Sequence, residues 1–115
     1  MKNIILFIGL FTSLNLLSQS KTASTATFIV KGNCDQCKER IENAADIKGV
    51  KICTWDEKKK IASVTYDASK TNLETIQKAI AAAGYDAGDQ KGNDAKYKKL
   101  PKCCQYRDNK CDEKK

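Results

Sequence analysis

The chain has 115 residues, 21 basic and 14 acidic, for a formal charge of +7, and it carries six cysteines and no histidine. That length leaves room for one small domain with a modest core and too little for two. With Met only at position 1 and no imidazole, cysteine sulfur is the one strong soft ligand available, which selects Cu(I), Hg(II), Zn(II) or Cd(II) over ions that favour nitrogen or carboxylate.

Residues 1–20 read as a secretory signal peptide: Met1-Lys2-Asn3 is a short positive start, Ile4 to Leu17 are mostly apolar, and Ser18-Gln19-Ser20 offers small residues for cleavage. The apolar run falls short of the roughly 20 residues that span a bilayer, and Asn15 interrupts it. The expected product is exported, periplasmic or secreted, with no membrane insertion after cleavage and all six cysteines retained where disulfides can persist. Residues 21–90 hold 11 basic and 10 acidic side chains and residues 91–115 hold nine and four, so the basic excess belongs to the tail. An exported chain without a basic face on its folded part is not expected to bind nucleic acid.

Residues 21–26 are expected to be a flexible lead-in. Thr27 to Lys31 then alternate, with Phe28 and Val30 on one face, as a half-buried strand does. After Gly32-Asn33 the period changes. Ile41, Ala44, Ala45 and Lys48 recur at helical spacing from Cys37 onward, and Gly49 is expected to close this helix. Val50 to Trp55 and Ile61 to Asp67 read as a hairpin around the charged turn 56–60, with Cys53 and Trp55 on one face and Ala62, Val64 and Tyr66 on another. Thr71-Asn72-Leu73-Glu74 has capping-box spacing, a second helix shows Leu73, Ile76, Ala79, Ile80 and Ala83, and Gly84 stops it. Tyr85 to Gly88 are a candidate last strand. The order predicts an α+β, ferredoxin-like βαββαβ sandwich over residues 21–90, with two helices on one face of an antiparallel sheet. Residues 91–115 form a basic, Cys-containing extension whose ordering is expected to depend on its cysteines.

Cys34 and Cys37 fall three apart at a helix start, where unpaired N–H groups and the positive end of the dipole stabilise thiolates. Such a pair can hold a soft metal ion, or it can act as a structural or redox disulfide. Lys38 and Arg40 are near enough in sequence to offset the charge of a two-thiolate complex. Cys53, beside Trp55 on its strand, reads as a small core side chain. Two readings stand for Cys103, Cys104 and Cys111: a disulfide from Cys111 to one of the other two staples the tail, or these thiols reach the Cys34/Cys37 loop and raise its coordination to three or four.

Val30-Lys31-Gly32 leading into Cys34-x-x-Cys37, Gly49-Val50, Val64-Thr65-Tyr66-Asp67 and Ala83-Gly84-Tyr85-Asp86 together resemble the heavy-metal-associated domain of bacterial copper chaperones, metal-transporting ATPase N-termini and periplasmic mercury-binding proteins, over about residues 25–88. The resemblance implies Cys34 and Cys37 as metal ligands and Tyr85 as the neighbour packed near their loop. It also implies delivery of the ion by ligand exchange with a thiol-bearing donor or acceptor such as a metal-transporting ATPase. The family loop is usually Gly-Met-x-Cys-x-x-Cys; here one residue is missing and Asn33 follows the glycine. The function expected is that of a monomeric, non-enzymatic carrier or scavenger of Cu(I) first, with Hg(II) or Zn(II) next. The alternative is an envelope thiol-disulfide protein using the same pair.

Overall fold

The computed structural model describes residues 23–108; the expected signal segment 1–20 and Cys111 lie outside them. Strand β1 (Ala23–Ile29), helix α1 (Asp35–Ala44), strands β2 (Val50–Asp56) and β3 (Ile61–Asp67), and helix α2 (Leu73–Ala82) follow in the expected order. They form a ferredoxin-like core whose three-stranded antiparallel sheet runs β1-β3-β2. A short helix α3 (Asp94–Lys98) and a 3-10 turn (Lys102–Cys104) complete the described chain.

Strand β1 starts earlier than its hydrophobic alternation suggests. Ala23 to Ala26 pair with β3 out to Asp67, because β3 is seven residues long and offers a ladder to small residues that carry little apolar signal. The inward face of β2 is Val50, Cys53 and Trp55. A register shift between Val50 and Ile52 absorbs Lys51 and returns both ends of the strand to one face. The sheet and the two helices close over Val30, Ile41, Trp55, Val64, Ile76, Ile80 and Tyr85, all essentially without solvent exposure. Each such side chain is worth about 1.5–3 kcal/mol of transfer free energy. Trp55 is also held by its indole Nε1–H, which donates to the Val30 carbonyl at 2.9 Å.

Three punctuation marks act differently from the sequence expectation. Helix α1 ends at Ala45, and Ile47 packs against the core in place of the expected Lys48, which is exposed. Gly49, at φ +94°, instead serves the turn into β2, where its carbonyl accepts from Asp67 N–H at 2.7 Å. The capping box does not form: Asn72 is the N-cap of α2, its side chain accepting from Thr75 N–H at 2.8 Å, while Thr71 Oγ1 is buried without a hydrogen-bond partner. Glu74 pairs forward with Lys78. Gly84 does stop α2, at φ +106° with its N–H on the Ala81 carbonyl.

The fourth strand is reduced to one step. Lys31 N–H reaches the Asp86 carbonyl at 3.0 Å and Gly88 N–H the Ile29 carbonyl at 2.8 Å, giving the single bridge Val30–Ala87. Gly88 then turns at φ +56° and Ala87 bonds to Gln90 instead, so the ladder ends. That turn sends the chain back over α2, where Asn93 N–H bonds to the Ala81 carbonyl at 2.8 Å.

From there the extension packs into the same core through Tyr97, Leu100 and Cys104. Its order comes from rings and ion pairs together with the buried Cys104. Tyr106 stacks on Tyr85 with centroids 5.7 Å apart and meets Tyr97 edge-on at 5.2 Å. Its hydroxyl donates to the Gly84 carbonyl and accepts from Asp86 N–H, each at 2.9 Å. Arg107 lies over the Tyr97 ring at 4.4 Å and pairs with Asp94 at 2.9 Å and Asp86 at 3.1 Å. Among the described residues no helix is long and apolar enough to cross a membrane.

Candidate metal centre

Gly32 brings the loop after β1 down onto the core. A Cβ at this position would stand 3.1 Å from the Trp55 ring and 3.2 Å from Cys37 Cβ, so glycine lets the backbone pass this close without displacing either neighbour. The helix therefore begins sooner than its apolar period indicates. Cys34 is the N-cap of α1 and Cys37 is its third residue, which places both sulfurs at the positive end of the helix. The two Sγ atoms are 4.0 Å apart and not bonded to each other. Cys37 is fully buried and Cys34 is half-buried.

The tail supplies what the short loop lacks. Asn33, which stands after the glycine in place of the usual apolar residue, donates its Nδ2–H to the Cys103 carbonyl at 3.0 Å. This tie sets the following residue, Cys104, against the loop: the Sγ atoms of Cys34, Cys37 and Cys104 all lie within 4.8 Å of one another, and Cys104 is fully buried. Cys103 Sγ is 3.7 Å from Cys34 Sγ, on the more open side. Cys34, Cys37, Cys103 and Cys104 are thus brought together. Cys53 is not: it is half-buried on β2, where burial and then the Glu42 carboxylate push its thiol up to about 11, as suits the packing residue the sequence suggests.

Tyr85 returns to the loop after α2. Its ring is fully buried, its Oη has no hydrogen-bond partner, and the sulfurs of Cys37 and Cys104 are its polar neighbours. Burial, then the charge of Cys37, holds this phenol far above its ordinary range, so it stays a neutral O–H facing sulfur. Burial, then the hydrogen bond with Cys37, likewise pushes the Cys104 thiol up. Lys38 does not face the sulfurs: it is paired with Glu42 and donates to the Trp55 carbonyl at 3.1 Å. Arg40 is exposed on the outer side of α1 with Gln36, Glu39 and Asn43. The positive influence on the two loop sulfurs is therefore the helix terminus, not these two cations. Sequence reasoning missed Asn33, Tyr106 and Arg107 as site-forming residues. The hint was the Tyr97 and Tyr106 pair bracketing Cys103 and Cys104.

The spacing of these sulfurs can be set against two coordination geometries. With metal–thiolate bonds of about 2.3 Å, a linear pair needs sulfurs about 4.6 Å apart and a planar trio about 4.0 Å. The Cys34–Cys37 edge is 4.0 Å, the trio value, and the three sulfurs together lie within 4.8 Å, a spread that spans both geometries. The cluster is able to coordinate a soft metal ion.

Comparison with known proteins agrees with this chemistry. The model of the heavy-metal-associated domain matches residues 27–86, ending before α3. Among solved structures, the apo copper chaperone of Enterococcus hirae is 39% identical with a TM-score of 0.51, over 54% of this chain and 94% of its own. A CopZ metallochaperone is 33% identical with a TM-score of 0.54, over 56% and 98%. Oxidised MerP from Ralstonia metallidurans CH34 is 31% identical with a TM-score of 0.55, over 57% and 94%. No curated protein sequence matches the chain.

Proposed function

Because this chain belongs to the heavy-metal-associated domain family, we propose that it is an exported carrier or scavenger of a soft metal ion, Cu(I) first and Hg(II) second, with Zn(II) as a weaker competitor. Cys34 and Cys37 are the primary ligands, Cys104 is the third, and Tyr85 donates its buried O–H toward the sulfurs. The observation that carries the reading is the meeting of three sulfurs within 4.8 Å at a helix N-terminus. Each thiol loses its proton as its sulfur bonds the ion, and the helix terminus offsets part of the resulting negative charge. The ion passes on by exchange: a bond to an incoming thiolate forms as a bond to one of the chain's sulfurs breaks, and the ion is never released to water. The chain works as a monomer, with residues 1–20 as the export signal and 21–90 as the metal-binding domain, in the periplasm or outside the cell. Its donor or acceptor is a thiol-bearing protein, a metal-transporting ATPase in the first instance. A copper binding domain from a P-type ATPase shares the fold at 26% identity and a TM-score of 0.53, which supports that choice.

The test is anaerobic titration of the reduced, processed protein with Cu(I), Hg(II) and Zn(II), counting bound ions by native mass spectrometry. One tight ion, lost in Cys34→Ser/Cys37→Ser, is the expected result. Binding that survives the double substitution would refute the ligand assignment. The 4.0 Å separation also suits the alternative, a thiol-disulfide protein; turnover of a disulfide substrate without tight metal binding would favour it.

A further inference from the structure

In an exchange reaction the acceptor's thiolate must reach the ion from outside the Cys34–Cys37 pair. In this molecule residues 103–106 occupy that approach. Cys104 Sγ sits within 4.8 Å of both loop sulfurs, Cys103 Sγ is 3.7 Å from Cys34, and the Tyr106 ring covers Tyr85 behind them. Cys37 and Cys104 have no solvent exposure. The segment is tied by Asn33 Nδ2–H to the Cys103 carbonyl on one side and by the Tyr106 hydroxyl to Gly84 and Asp86 on the other, with Gln105 Nε2–H on the Leu100 carbonyl and the Tyr106 ring against Tyr85 and Tyr97 between them. The Asn33 tie and the two Tyr106 hydroxyl ties are neutral hydrogen bonds, each of a strength that breaks and re-forms readily; the Tyr106 ring contacts and the buried Cys104 add to what must yield for the segment to lift. Of the covering residues, Cys103 and Cys104 end the 3-10 turn (Lys102–Cys104) and Gln105 and Tyr106 lie outside helix and strand.

We propose that residues 103–106 are a latched cap over the ion, with Asn33 and Tyr106 as its two positioning residues. Transfer to an acceptor then proceeds only when the cap lifts. This rests on the carrier reading above and specifies how release is controlled: the chain retains its ion until an acceptor captures the opened state. In the transfer the bond from the ion to Cys104 breaks first and that sulfur regains a proton. One acceptor thiolate then takes the vacated position, a second acceptor thiolate binds as the two loop sulfurs leave one after the other, and each released loop sulfur takes up a proton from solvent.

Two measurements on the full processed chain test this. In the first, protein loaded with one Cu(I) is mixed with rising excesses of bathocuproine disulfonate and the coloured complex is followed in time. If the cap gates release, the wild-type rate reaches a plateau independent of chelator concentration. Asn33→Ala raises that plateau by about 2-fold to 10-fold, the range set by losing one ordinary hydrogen bond, and Tyr106→Phe, which loses two, by about 5-fold to 100-fold. A rate that stays proportional to chelator, or a plateau unmoved in both variants, overturns the proposal. In the second, the metal-free reduced protein is treated with iodoacetamide and labelling of Cys104 is timed by peptide mass. Wild-type Cys104 is protected and both variants label faster; equal labelling overturns the cap. The second measurement needs no metal, so failure to bind an ion would refute the carrier reading and still leave the cap decided. Asn33→Ala removes only a half-buried amide, and it keeps the test valid if Tyr106→Phe disturbs folding.

Discussion

Replacing Cys104 by serine should change how steeply metal affinity depends on pH. In the metal-free protein this thiol is fully buried, and burial, then the hydrogen bond with Cys37, pushes its pKa well above the usual thiol range. It is therefore protonated throughout pH 6 to 8, and its proton must leave when the sulfur bonds the ion. Wild type accordingly releases one more proton per ion than Cys104→Ser. Each extra proton steepens the apparent affinity by about tenfold per pH unit, in the direction of tighter binding at higher pH. From pH 6 to pH 8 the wild-type advantage should grow by about 100-fold, or about 2.7 kcal/mol. Competition against a Cu(I) chelator at pH 6, 7 and 8 reads the slope, and native mass spectrometry of the loaded protein reads the protons lost. A serine hydroxyl could disturb the buried site, so Cys104→Ala should be measured in parallel and should show the same slope. Equal slopes and equal proton counts in wild type and both variants would mean that Cys104 never ligates the ion, and the three-sulfur reasoning would fail.

Gly32→Ala places a methyl 3.1 Å from an indole that is pinned by its own hydrogen bond; an overpacking cost of about 1–2 kcal/mol is expected, seen as a thermal midpoint lower by roughly 4–16 °C. Asn72→Ala should cost about 1 kcal/mol through loss of the α2 cap. By contrast Thr71→Val, which removes a buried hydroxyl with no partner, should be neutral or stabilising in denaturant melts; a large loss on Thr71→Val would restore the capping box. Although burial pulls the Asp86 carboxyl up, hydrogen bonds from Gly92 N–H and Arg107 outweigh it and hold the pKa below the usual carboxylate value. A depressed folded pKa stabilises above the unfolded value, about 3.9, and that stability is lost as pH falls through the folded one. Asp86→Asn should thus melt below wild type at pH 7 and converge with it as pH falls through the lowered folded pKa, and a gap that persists at still lower pH would assign the effect to packing.

The sequence by itself determined the order of the elements and the chemistry of the centre. Period-2 and period-3.6 patterns are local consequences of which residues face a core, and they placed β3, the inner faces of β2 and β3, the α2 stripe and its Gly84 stop. The absence of histidine left sulfur as the ligand type, and Cys34-x-x-Cys37 needed only a helix start beside it. What depended on partners far along the chain was not legible. Asn33 looked like a polar defect in a shortened loop until the Cys103 carbonyl, 70 residues away, was placed beside it. Lys38 looked available to the thiolates because nothing local reveals its ties to Glu42 and the Trp55 carbonyl. The last strand failed where Gly88 turned, and the length of β1 was set by β3 rather than by its own residues. The tail is the largest case. Its cysteines suggested either a staple or ligands; what sets Cys104 beside Cys34 and Cys37 includes Tyr106 stacking on Tyr85 and Arg107 closing on Asp86 and Asp94, which composition does not show. Contacts between distant segments fix which sulfur meets which, and only the folded chain brings those segments together.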